Sequence, residues 1–133
     1  DGQFPNYKQV MPKDFISFSV LDTKKFTESL KRVMILTKEP TYKIILNFSK
    51  DQLVMESKLQ DIGETQEIID IEYSGNDISL GINSQYLMDS IREIDSISFK
   101  ISITGNMSPV TITPENSADY VSVIMPIQIK QAD

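Results

Sequence analysis

The chain has 133 residues with 40% hydrophobic content, a mean hydropathy of −0.20 and a formal charge of −6, values that fit one globular domain with a genuine core. It contains no cysteine and no histidine, which excludes disulfides, thiolate metal sites, cysteine nucleophiles and a Ser-His-Asp triad within this chain. An acidic domain with a pI near 4.6 is a poor non-specific nucleic-acid binder as a whole, so any DNA contact requires basic residues collected on one face.

No apolar run approaches the ~20 residues needed to span a bilayer, and the opening residues do not resemble a secretory leader. The chain opens without Met, which reads as an excised piece beginning in linker: Pro5 and Pro12 predict an extended segment over residues 1–12, with the single domain over 13–133. Alternation over 15–20 predicts a first strand. Asp22 then suits the N-cap of a helix running to about Thr37. Phe26, Leu30, Val33 and Met34 form its apolar stripe. Lys24, Lys25, Glu28, Lys31 and Arg32 form the opposite face, with Ile35 in its middle, within roughly 20° of Lys24. Glu28 and Arg32 are spaced to pair along that helix.

Strand-like runs follow at 42–49, 52–58 and 66–74, the first two joined by a tight turn at Ser49-Lys50-Asp51. Gly75-Asn76 makes a second turn into a strand over 77–82. Asn83 or Ser84 caps a second helix, about 84–94, with Leu87, Ile91 and Ile94 on its apolar face. Strands at 96–103, 109–113 and 120–127 complete the pattern. The fold class is α+β: two helices on one face of antiparallel sheets, about eight strands, with a duplicated βαβββ order.

A catalytic reading finds little support. Asp70 and Glu72 alternate along the predicted 66–74 strand, as paired carboxylates for magnesium or acid–base work do. No glycine-rich phosphate loop or nucleophile–base arrangement accompanies them, and outward carboxylates are common on strands. The expectation is a non-enzyme with no cofactor and no metal.

Four blocks, in order, resemble one family. GQFPNYKQVMP (residues 2–12) is similar to G-x-F-P-D-Y-x-x-V-L-P, RVMIL (32–36) to a first-helix ending, YSGNDISLGINSQYLMD (73–89) to Y-S-G-x-x-L-E-I-G-F-N-x-x-Y-L-x-D, and VIMPIQ (123–128) to V-V-M-P-M-R. These are the marks of the C-terminal, third domain of the bacterial DNA polymerase sliding clamp, the beta clamp family. The resemblance implies a cytoplasmic protein whose three-domain protomers form a head-to-tail homodimeric ring around duplex DNA. It implies partners too: the replicative polymerase, the clamp loader and repair proteins, all docking by short linear peptides.

Carried over position by position, the resemblance implies a peptide pocket from Pro5, Gln9, Val10, Asn83, Tyr86, Met107, Pro109, Val123, Ile124, Met125, Pro126, Ile127, Gln128 and Ile129. Composition alone reads Val123–Ile127 as an ordinary strand whose proline confines it to an edge. The family often has Arg where Gln9 and Gln128 stand, positions for charge-assisted contacts to the peptide, and Met where Ile127 stands. The implied ring interface comprises Ile35, Leu36, Asp61, Glu64 and Glu67; the implied DNA-facing residues are Lys24, Lys25, Lys31 and Arg32. Without the resemblance these are a solvated helix face, a lone exposed apolar residue and a charged strand edge. A fragment lacking the preceding domains is expected to be monomeric and to bind peptide weakly. The alternative is a stand-alone peptide-binding adaptor of similar fold that encircles nothing.

Overall fold

The computed structural model describes residues 17–37, 42–59, 63–115 and 122–128. Strand β1 (Ser17–Asp22) alternates, with Ser19 and Leu21 inward and Phe18, Val20 and Asp22 outward. Helix α1 (Thr23–Met34) starts where Asp22 accepts a hydrogen bond from the Lys25 N–H at 2.9 Å. Its Phe26, Ser29, Leu30 and Val33 are buried. The helix stops three residues short of Thr37. Both the N–H and the hydroxyl of Thr37 donate to the Met34 carbonyl, at 3.0 and 2.8 Å, closing the last turn tightly.

Strands β2 (Lys43–Ser49) and β3 (Gln52–Leu59) form the predicted hairpin. The run over 66–74 is not one strand. It divides into β4 (Gly63–Asp70) and β5 (Tyr73–Ser74), which lie in different sheets. Between them, the Ile71 N–H donates to Asp51 O at 3.0 Å and the Tyr73 N–H to Lys50 O at 3.2 Å, so the chain is turned by the β2–β3 hairpin end. The extra short strand makes nine described strands where about eight were expected. Strand β6 (Ile78–Asn83), helix α2 (Ser84–Arg92), β7 (Ser98–Ile103), β8 (Val110–Pro114) and β9 (Ser122–Ile124) follow. The second helix ends two residues before the expected Ile94; of the expected 120–127 strand, Ser122–Ile124 form β9, residues 120 and 121 lie outside the described residues, and Ile127 makes an isolated bridge.

Among the described residues every strand pair is antiparallel, in a five-stranded sheet ordered β5-β1-β7-β8-β9 and a four-stranded sheet ordered β4-β3-β2-β6. This order resolves the duplication. Each βαβββ unit contributes a three-stranded meander, and its first strand joins the other unit's meander: β1 pairs β7, and β6 pairs β2. The exchange interlocks the halves around one core, in which Phe26 meets Phe99 edge to face at 5.3 Å and Phe48 stacks on Tyr73 at 5.4 Å.

The helices share one face and run antiparallel, each one's first N–H donating to the loop after the other. Thr23 N–H donates to Ile97 O at 2.8 Å, and Ser84 N–H donates to Tyr42 O at 2.9 Å. Tyr42 reaches this position with a φ of 45°, a left-handed conformation that disfavours side chains. Its carbonyl also accepts from the Ser84 hydroxyl at 2.7 Å. Side-chain bonds tie the helices to the sheets: Ser57 Oγ donates to Val33 O at 2.8 Å, and the Ser90 and Ser122 hydroxyls bond each other at 2.7 Å.

Candidate functional site

Three surfaces contain the residues singled out from sequence. The first surrounds the start of α2. Strand β9 pairs with β8 through Thr111–Val123 and Val110–Ile124, so Ile124 faces the core at 6% exposure while Val123 and Met125 point out. The chain then passes the end of β6, where the Ile127 N–H donates to Gly81 O at 2.8 Å. Two residues beyond Gly81, Asn83 caps α2 by accepting from Gln85 N at 2.9 Å and Tyr86 N at 3.1 Å. That bond network sets Tyr86 on the first, exposed turn.

Four of the nine large hydrophobic residues exposed among the described residues, Tyr86, Met107, Val123 and Met125, belong to the sequence-derived pocket set. Asn83 and Pro126 are buried, Pro109 and Ile127 half-buried, and Gln128 exposed. Ile124 and Asn83 therefore act first as core and cap. Pro5, Gln9, Val10 and Ile129 lie outside the described residues, as does the linker segment 1–12.

The second surface is the edge of β4, which among the described residues pairs only with β3. Glu64 is exposed and Glu67 half-buried; Asp61 lies outside the described residues. Ile35, the residue after α1, is 76% exposed, and Leu36 is half-buried. The two elements are joined by an ion pair absent from the sequence reading: Arg32 Nη2 lies 3.0 Å from Glu67 Oε1 and also donates to Ser29 Oγ at 3.4 Å. Arg32 thus pairs with Glu67 across to the sheet, not with Glu28 along the helix. The hydrogen bond and charge of Glu67 raise the guanidinium's pKa above its ordinary value, with Glu28 a lesser contributor.

The third surface is the helix face. Lys24, Lys25, Lys31 and Arg32 are all exposed, but Arg32 is already engaged by Glu67. Asp70 and Glu72 do not share a strand: Asp70 ends β4, and Glu72 lies in the link to β5.

Residues 8–128 match the family described as DNA polymerase III beta subunit, C-terminal domain. The chain belongs to that family. It is 28% identical over 132 residues to the beta sliding clamp of Synechococcus elongatus and 30% identical over 135 residues to that of Streptomyces coelicolor. These alignments cover 98% and 97% of the chain, and 35% and 36% of those proteins. Among solved structures, the beta subunit of DNA polymerase III from Thermotoga maritima superposes with a TM-score of 0.86 at 27% identity, covering 98% of the chain and 35% of that one. The sliding clamp of Pseudomonas aeruginosa, crystallised with griselimycin, superposes with a TM-score of 0.85 at 26% identity, covering 97% and 35%.

The chain therefore spans about a third of the length of the relatives it matches. Family membership makes it a non-catalytic scaffold domain, not an enzyme. Among the described residues no helix is long and apolar enough to cross a membrane.

Proposed function

We propose that this chain is the third domain of a three-domain protomer in a cytoplasmic, DNA-encircling ring, and that it tethers polymerase, clamp loader and repair proteins through a peptide pocket. The observation that carries this reading is the family match over residues 8–128, combined with four exposed apolar side chains at one end of the helix pair. Tyr86, Met107, Val123 and Met125 offer an adaptable apolar surface to a leucine- and phenylalanine-bearing peptide. Gln128 adds a neutral polar contact, and Pro5, Gln9, Val10 and Ile129 complete the proposed pocket.

Ring closure uses the β4 edge. Glu64, Glu67 and Asp70 lie on that strand with no Lys or Arg among its eight residues. Two copies of β4 would face each other with like charges, so the strand suits a different, basic partner edge. That reading favours a head-to-tail homodimer in the whole protein, with Ile35 and Leu36 as the apolar centre of the joint and Asp61, Glu64 and Glu67 as its charged rim. It also supports a monomeric state for this chain alone. Lys24, Lys25 and Lys31 supply sequence-independent phosphate contacts in the ring, with Arg32 shared between phosphate and Glu67.

The deciding experiment is topological. Full-length protein is loaded onto nicked circular DNA and washed at high salt. Retention on the circle, with release on linearisation, is the expected result. Release from both forms alike, or equal retention on both, would sink encirclement. In the same full-length protein, Ile35→Asp is expected to convert the dimer to monomer in analytical ultracentrifugation; an unchanged dimer removes Ile35 from the joint.

A further inference from the structure

The duplication relates more than the strands. It carries β1 onto β6, both six residues long and both ending in an N-cap, Asp22 and Asn83. Three residues past each cap stand Lys25 and Tyr86, both exposed. After β4 the chain returns to pair with β1 through β5, as after β9 it returns to bridge β6 at Gly81. The β2–β3 turn, with Asp51, takes the place of the β7–β8 turn, with Met107. The first half therefore has a counterpart to the surface around Tyr86 and Met125, at the opposite end of the antiparallel helix pair.

That counterpart is a groove of about 960 Å³. Its outer wall includes Phe18 and Val20, 36% and 45% exposed, and its inner wall the half-buried Ile69 and Ile71. Its lining includes four exposed carboxylates, Asp22, Asp51, Asp70 and Glu72, and one cation, Lys25; a second cation, Lys100, borders the groove with its Nζ 4.7 Å from the centroid of the Phe18 ring. We propose that this groove is a second peptide-docking site, for an extended segment carrying apolar side chains flanked by lysine or arginine.

The inference rests on the peptide-pocket reading of the first surface and extends it through the fold's own symmetry. The apolar walls fit aliphatic or aromatic side chains, and alternate side chains of an extended segment face one wall. The carboxylates select the charge. Exposed charges steer association and penalise an acidic competitor more than they add affinity, and salt screens them. The two grooves thus share a shape but not a ligand, so a single domain can hold two different peptides at its two ends.

The test uses full-length protein and three fluorescein-labelled peptides in anisotropy titrations: Lys-Lys-Leu-Phe-Lys-Lys, the same core flanked by glutamate, and the core flanked by serine. The basic peptide is expected to bind wild type and Met125→Ala alike. Its affinity should fall about tenfold in Val20→Lys and in Glu72→Lys, surface changes that melting curves will show to be folded. Raising salt should weaken it further, and the glutamate-flanked peptide should not compete for the site. The idea is overturned if Val20→Lys and Glu72→Lys leave binding unchanged, if Met125→Ala abolishes it, or if wild type does not bind the basic peptide. The serine-flanked peptide reports separately on the first pocket: insensitivity to Met125→Ala would count against that reading alone.

Discussion

Asn83 stands where helix capping and the proposed peptide pocket meet, and two substitutions separate them. Its Oδ1 accepts from Gln85 N at 2.9 Å and from Tyr86 N at 3.1 Å, while the residue is only 8% exposed. Asn83→Ala leaves both N–H groups of the first turn without that acceptor. Loss of an N-cap costs about 0.5–2 kcal/mol, and burial limits replacement by water, so about 1.5–2 kcal/mol is expected here. Helix α2 has nine residues and little intrinsic stability to offset this. For a domain of this size the loss lowers Tm by about 5–10 °C.

Asn83→Asp keeps the oxygen acceptor and places a negative charge at a helix N-terminus, so stability should stay within about 0.5 kcal/mol of wild type. What it removes is the side-chain amide donor. If Asn83 serves the proposed peptide pocket, the aspartate variant of the full-length protein folds normally and binds peptide more weakly. Urea denaturation by circular dichroism and amide exchange at Gln85 and Tyr86 read the first effect; anisotropy titration reads the second. Equal stability of the alanine variant and wild type would refute the capping account. Unchanged peptide affinity in the aspartate variant removes Asn83 from the pocket.

Four further substitutions test the fold. Gly75 has a φ of 138°, and a Cβ there would run into the Ser17 side chain; Gly75→Ala should cost at least about 2 kcal/mol in urea denaturation, with partial recovery on adding Ser17→Gly. Leu30 is fully buried, and Leu30→Ala should cost about 3–5 kcal/mol with little change in the denaturant slope. Thr23 Oγ1 is buried without a hydrogen-bond partner among the described residues, whereas the Ser84 hydroxyl at the equivalent place donates to Tyr42 O. Thr23→Val should therefore be neutral or stabilising by up to about 1 kcal/mol, and Ser84→Ala destabilising by about 1 kcal/mol, in thermal melts.

The helices were legible because Phe26, Leu30 and Val33 repeat at helical spacing behind a capping aspartate, and Leu87 and Ile91 repeat it behind a capping asparagine. The first helix was read too long because the sequence has no glycine or proline to stop it before Pro40. The break between β4 and β5 left no sequence signal: Ile71-Glu72 has no turn chemistry, and what bends the chain there is hydrogen bonding to the distant Lys50 and Asp51 carbonyls. The same limit applied to the surfaces. Motif blocks pointed to Tyr86 and Met125, but periodicity could offer Arg32 only the nearby Glu28. Its actual partner, Glu67, is 35 positions away. The Phe18–Val20 groove was invisible for the same reason, since its walls come from β1, the β2–β3 turn and the β4–β5 link.

The free edge of β4 shows how one sequence can meet two opposed demands. An edge strand presents unpaired backbone groups, and Ile68 on this one is 57% exposed, so the edge invites unwanted pairing. Covering the edge would remove the hazard but also the joint that a ring requires. Charge of one sign leaves the backbone open while penalising self-pairing and pairing with other acidic strands. Arg32 limits the cost: its bond to Glu67 draws one carboxylate back toward α1, leaving Glu64 and Asp70 as the carboxylates of β4 not held by it. On the proposed ring, breaking that bond would release a carboxylate to the joint and a guanidinium to the DNA side together. The Arg32–Glu67 pair therefore links the two surfaces that ring closure and DNA contact would use.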